Sequence, residues 1–233
     1  MAIFYGMADS EKRLVGLYPK TVKRIEDIDE AEAAIQEKLK EEAKGLAAKF
    51  RRWKLKRQYK KFEKNRNDPF HAGAKGENLV IERLSRLSNE YHVLCGVRIG
   101  LPYHISYNGK KDLKSAQIDF VVVSKKGVCA IEVKNWSDDF VARQDYFSPH
   151  EQAGRAGRLL WHVLKSWRKT PRVTSVVLSI RGNIKYDPKY RVVFTANPDN
   201  INRFLENRDE ALSDKDVRRI VSKLEDRVTK QHT

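Results

Sequence analysis

From residue 117 to residue 136 the chain reads Gln-Ile-Asp-Phe-Val-Val-Val-Ser-Lys-Lys-Gly-Val-Cys-Ala-Ile-Glu-Val-Lys-Asn-Trp, two branched apolar runs parted by Lys-Lys-Gly. Runs of this kind around a short turn predict a hairpin of two strands within a sheet. Side chains alternate along a strand, so Asp119 shares a face with Val121 and Val123, and Glu132 and Lys134 share one with Val128 and Ala130. Three ionisable groups thus stand where a core should be. A two-residue loop at Lys125-Lys126 pairs Ser124 with Gly127 and, further along the ladder, Asp119 with Glu132, their Cβ atoms about 4.5–5.5 Å apart. A bulge at Gly127 would break that register. Two carboxylates so placed repel each other unless a cation lies between them, which is a metal site in outline.

A third acid comes from the preceding helix, predicted over residues 73–88. Glu77 lies four residues before Ile81 and seven before Leu84, which puts it on the apolar face in the first turn, beside Gly73 and Gly76. Gln152 repeats the pattern in the first turn of a later helix, on the side of Ala156, Leu159, Val163 and Trp167. That helix begins at Ser148-Pro149-His150-Glu151, where Ser148 caps, Pro149 suits the first position and Glu151 can close a capping box. Its opposite side carries Arg155, Arg158, His162, Lys165 and Lys169, a basic stripe. Asp119 and Glu132, with the Val133 carbonyl and with Glu77 directly or through water, would hold Mg2+ or Mn2+, which prefer oxygen ligands. Lys134 would then reach an attacking water and orient or deprotonate it. No Cys/His cluster favours zinc, since Cys95 and Cys129 lack metal-finger spacing and read as buried core thiols of a chain in a reducing cytoplasm.

Around these motifs the pattern predicts a strand over residues 91–99, a loop rich in Tyr, Asn, Gly and Lys, the hairpin, the Ser148 helix, strands over 173–180 and 190–196, and a closing helix over 213–227. This order makes a mixed α/β domain. Asn67-Asp68-Pro69 marks its start and divides the chain into residues 1–68 and 69–233. The first part reads as one or two long helices. Residues 26–42 hold eight acids against two lysines, and residues 49–66 hold ten bases against Glu63, an order that suits the helix dipole. Phe50, Trp53, Tyr59 and Phe62 interleave with that basic run, either as platforms for bases or as the apolar seam that docks the helix.

Lys+Arg 47 against Asp+Glu 31 leaves a net charge of +16, which favours a polyanionic partner, nucleic acid above all. The cations expected to hold its backbone are Arg155, Arg158, Lys165 and Lys169 together with Arg51, Arg52, Lys56, Arg57 and Lys60. No apolar run approaches the roughly 20 residues of a membrane-spanning helix. The first nine residues lack the basic segment and long apolar region of a secretory signal. Binding of residues 49–66 to a membrane surface, and a homodimer through the amino-terminal helix or the sheet edge, stay open.

Taken in order, Gly73-Ala-Lys-Gly-Glu77, Ala116-Gln-Ile-Asp-Phe-Val-Val-Val123, Gly127-Val-Cys-Ala-Ile-Glu-Val-Lys-Asn-Trp136 and Ser148-Pro-His-Glu-Gln152 resemble the successive motifs of the nuclease-related domain, NERD. That family is grouped with the PD-(D/E)xK nucleases of restriction-endonuclease-like fold. The resemblance covers about residues 70–197. It implies a central mixed sheet flanked by helices, here preceded by a long helical arm. Glu77 matches the helix acid, Asp119 the first strand acid, Glu132 and Lys134 the Glu-x-Lys element, and Gln152 the glutamine beside the active site. The proline of the superfamily's name is absent, since Ile118 precedes Asp119. The activity so implied is metal-dependent hydrolysis of phosphodiester bonds, in DNA by preference. The alternative is a non-catalytic nucleic-acid-binding or scaffolding module inside a larger complex.

Overall fold

The computed structural model describes residues 1–41, 45–66, 68–143, 147–165 and 170–230, and the chain forms two compact units, Met1–Asp9 with Gly76–Thr233 and Ser10–Lys75. In the larger unit the described residues build a six-stranded mixed sheet in sequential order. Its strands are β1 (Ile3–Tyr5), β2 (His92–Tyr107), β3 (Lys110–Ser124), β4 (Gly127–Lys134), β5 (Val173–Ser179) and β6 (Val193–Ala196). β1 runs parallel to β2, the β2–β3 and β3–β4 pairs are antiparallel, and β4, β5 and β6 are mutually parallel.

The β3–β4 hairpin keeps the predicted register from Ser124↔Gly127 to Phe120↔Ile131. Gly127 takes φ +107°, and this leaves no bulge in the ladder. The segment after Ile99, expected as a loop, continues instead as a hairpin that turns at Asn108-Gly109, whose φ angles of 46° and 80° suit the two-residue turns that join antiparallel strands. Its strand character was hidden because only Ile105 and Leu113 are buried along it, so no alternation shows.

The helices are α1 (Asp9–Val15), α2 (Asp27–Lys40), α3 (Leu46–Arg66), α4 (Pro69–Leu84), α5 (Asp138–Arg143), α6 (Pro149–Leu164), α7 (Ile201–Glu206) and α8 (Asp214–Leu224). One sheet face packs Leu94, Val97, Val121, Val123, Val128 and Ala130 against α6 and α8. The other packs Val93, Phe120, Val122, Cys129 and Ile131 against Val80 and Leu84 of α4 and Ile201 and Leu205 of α7. Both cysteines are buried, as expected, and burial pushes the Cys129 thiol up to about 11. Ser148 caps α6 by accepting from the Glu151 N–H at 3.3 Å, with Pro149 in the first turn. Glu151 does not close the box; its carboxylate accepts the Tyr190 hydroxyl at 2.9 Å instead. A full capping box forms at Ser213 and Asp216, and α8 ends at Leu224 in a 3-10 turn.

The smaller unit has its own core of Leu14, Val15, Val22, Ile28, Phe62 and Ala74. Phe62 meets Tyr18 edge-on at 4.8 Å, and Arg66 pairs with the buried Glu32 at 2.9 Å, which joins the acidic helix α2 to the basic helix α3. The two compact units divide the chain elsewhere than at the predicted residues 68 and 69. Asn67 lies outside the described residues, and although α4 does open at Pro69, the unit continues to Lys75 because Phe70 and Ala74 pack into the core that holds Phe62. Residues 3–5, counted with the helical arm, are a strand of the sheet; three residues are too few to show a period.

Candidate active site

The apolar ladder delivers polar groups at one end. Pairing of β3 with β4 runs to Phe120 and Ile131, and one step further the Val133 N–H donates to Asp119 Oδ2 at 2.8 Å. Asp119 is half-buried, whereas Glu132, the next residue of β4, is only 4% exposed. Lys134 Nζ donates to Glu132 Oε1 at 2.6 Å and to Gln152 Oε1 at 3.0 Å, so the first turn of α6 and the end of β4 hold one ammonium between them. The same ammonium lies 5.5 Å from the centre of the Trp136 ring. Glu132 Oε2 is buried and, among the described residues, has no hydrogen-bond partner.

Such an oxygen is costly to leave unpaired, and the protonation equilibrium responds. Burial and then the charge of Asp119 push the Glu132 carboxyl up to about 8, with Lys134 opposing and Glu77 adding to the rise. Burial also raises the Asp119 pKa, against the pull of the Val133 N–H and of Lys134. Glu77 is 5% exposed and sits in the third turn of α4 rather than the first, because the helix starts four residues earlier than predicted. Its neighbour Gly76 permits the approach of α4 to the end of β4: a Cβ there would stand 3.0 Å from Asn135 Cβ. Among the described residues no three His, Cys, Asp or Glu side chains gather closely enough to hold a metal ion.

Residues 72–180 match the nuclease-related domain family. Over this span the chain carries a nuclease-related domain. The matched span takes in Glu77, Asp119, Glu132, Lys134 and Gln152 and runs from α4 to the residue after β5. No curated protein and no solved structure matches the chain. Among the described residues no helix is long and apolar enough to cross a membrane.

The basic stripe on α6 of the nuclease-related domain is partly occupied. Arg155 pairs with Asp112 at 3.1 Å and stands 4.0 Å from Glu151, and the His162 ring shares a hydrogen bond with the Tyr103 hydroxyl at 3.0 Å. Arg158 and Lys165 are exposed and flank the Trp161 ring at 4.7 and 5.8 Å, while Lys169 lies outside the described residues. On α3, which precedes the nuclease-related domain, Arg51, Arg52, Lys56, Arg57 and Lys60 are all exposed. Sequence reasoning missed Asp112 as the partner of Arg155 and Trp136 as the neighbour of Lys134. It also missed Arg181, which ties down the end of β4 by donating to Asn135 Oδ1 at 2.8 Å. Asp112–Arg155 and Asn135–Arg181 span 43 and 46 residues, so no spacing announces them, whereas Lys134 and Trp136 stand two apart and strand alternation could have paired them.

Proposed function

We propose that the nuclease-related domain is a metal-dependent nuclease that hydrolyses phosphodiester bonds in nucleic acid, DNA by preference. The observation that carries this reading is the unpartnered Glu132 Oε2, a buried carboxylate oxygen beside a second strand carboxylate and a clamped lysine. That donor set fits Mg2+ or Mn2+, which take carboxylate and carbonyl oxygens. Asp119 through Oδ1, Glu132 through Oε2 and the Val133 carbonyl would hold the ion, with Glu77 joining through water. Bound there, such an ion stabilises charge developing on the phosphate and lowers the pKa of bound water.

The chain's own groups divide the remaining work. The Val133 N–H fixes Asp119 by its Oδ2 and leaves the other oxygen to point elsewhere. Glu132 and Gln152 take two of the three ammonium hydrogens of Lys134, and the third is left to orient the attacking water. Exposed cations on α3 and on α6 supply backbone contacts that are independent of sequence and weaken with salt.

The test compares wild type with Glu132→Ala and Lys134→Ala on plasmid, linear duplex, single-stranded DNA and RNA, in Mg2+, Mn2+ or chelator. Cleavage by wild type alone, and only with metal, is the expected outcome, with binding retained in both variants. Binding without cleavage in every metal would overturn the enzyme and leave a nucleic-acid-binding module.

A further inference from the structure

Among the described residues, β2 and β3 pair only with each other from residue 100 to residue 115 and form a two-stranded ribbon. The ribbon is anchored. Ile105 and Leu113 are buried in the core shared with α6, Asp112 holds Arg155 at 3.1 Å, and Tyr103 holds His162 at 3.0 Å. Tyr107 packs on Gly154, where a Cβ would collide with the tyrosine hydroxyl. Gly154 lies two residues after Gln152, so the turn at Asn108-Gly109 stands next to the end of α6 that holds Lys134.

What the ribbon offers to solvent is cationic. Lys110, Lys111 and Lys114 are exposed, with His104 and Tyr103 beside them. Asp112 is the one acid between residues 100 and 116, and Arg155 occupies it. Edge strands do carry lysines merely to resist aggregation, but here three of them lie within five residues of a turn whose Tyr107 packs on α6 two residues from Gln152.

We propose that this tip, residues 107–111 with Lys114, is a clamp that enters the major groove of duplex DNA and holds it against the Glu132 and Lys134 site. The proposal rests on the nucleic-acid reading of that site and adds a substrate class. A B-form major groove, about 12 Å wide, admits a two-stranded ribbon. The major groove of an A-form RNA duplex is deep and narrow, and a single strand has no groove at all. Lysines on the ribbon would meet phosphates at the groove walls and confer affinity without base specificity.

The experiment measures binding of the full chain in chelator to a short DNA duplex, the same duplex as RNA, and single-stranded DNA, over a range of salt. Lys110→Ala/Lys111→Ala is expected to weaken duplex DNA binding about tenfold and to lower its salt slope by about 2. Binding of the other two polymers should change less than twofold. Lys215→Ala/Arg218→Ala, which removes two exposed charges from α8, controls for net charge and should leave all three within twofold. Equal losses on all three polymers, equal losses in the control, or no loss on duplex DNA would each overturn the clamp. Because binding is read without metal, a chain that never cuts would sink the nuclease reading and leave this result standing.

Discussion

Lys134 Nζ donates to Glu132 Oε1 at 2.6 Å, while the other oxygen of the same carboxylate is buried and, among the described residues, has no donor to accept from. One oxygen thus stands beside an ammonium and the other is shut away from solvent. The side chains are 5% and 14% exposed, so solvent screens the pair weakly.

At pH 9, where Glu132 is ionised, Lys134→Ala leaves a buried carboxylate with no cation and should cost about 3 kcal/mol of stability in chelator. Glu132→Gln/Lys134→Met removes both charges and should cost less than that single change. Urea unfolding of the variants measures this, and equal losses would mean the pair is not coupled.

The pH dependence has a definite sign. Glu132 has its pKa raised from an ordinary 4.5 to about 8, so over that interval the folded protein holds a proton that the unfolded chain releases. The stability this contributes is full below the ordinary value and is gone above the raised one. In chelator, thermal stability should therefore fall as pH rises from 5 to 8 more steeply in wild type than in Glu132→Gln. A fixed Mn2+ concentration should oppose the fall, since the ion competes with the proton, and its stabilising effect should grow with pH. Melting curves at several pH values, with and without Mn2+, decide the point; parallel curves for wild type and variant would contradict it.

Ser148 caps the helix whose first turn carries Gln152. Ser148→Ala should cost about 1 kcal/mol. On the proposed nuclease reading it should also lower kcat more than it raises KM, because Gln152 accepts from Lys134 Nζ and so sets the position of that ammonium. Steady-state kinetics beside denaturant unfolding separates the two effects.

In the helical unit the aromatics divide by burial. Phe62 is 1% exposed and Trp53 is 55% exposed. Phe62→Ala should destabilise the unit by about 3–5 kcal/mol. Trp53→Ala should leave stability within about 0.5 kcal/mol and weaken nucleic-acid binding. Circular dichroism melts and a binding titration on both variants test the division, and a Trp53→Ala protein that binds like wild type would remove the stacking role.

Local patterns were legible wherever a short turn or a cap set them. The β3–β4 register follows from Lys125-Lys126 and Gly127, because a two-residue loop leaves one pairing, and the cap at Ser148 follows from a side chain that satisfies a helix end within three residues. The same reasoning placed Asp119, Glu132 and Lys134 on apolar faces before any fold was known, since alternation along a strand is a property of the backbone alone.

What the tertiary structure alone decided is which distant groups meet. Gln152 reaches Lys134 across 18 residues and Asp112 takes Arg155 across 43, so a stripe that reads as free cation in the chain is partly spent in the fold. Asn108-Gly109 was a visible turn signal, yet the ribbon around it buries too little to show a period and takes its place only against α6. Residues 3–5 become a strand because β2 offers them an edge, and Phe62 rather than Trp53 is the docking residue because Leu14, Val22 and Ile28 converge there. Periodicity determines which side of an element is apolar; only burial in the assembled core determines what that side is pressed against, and which charges are left over to act.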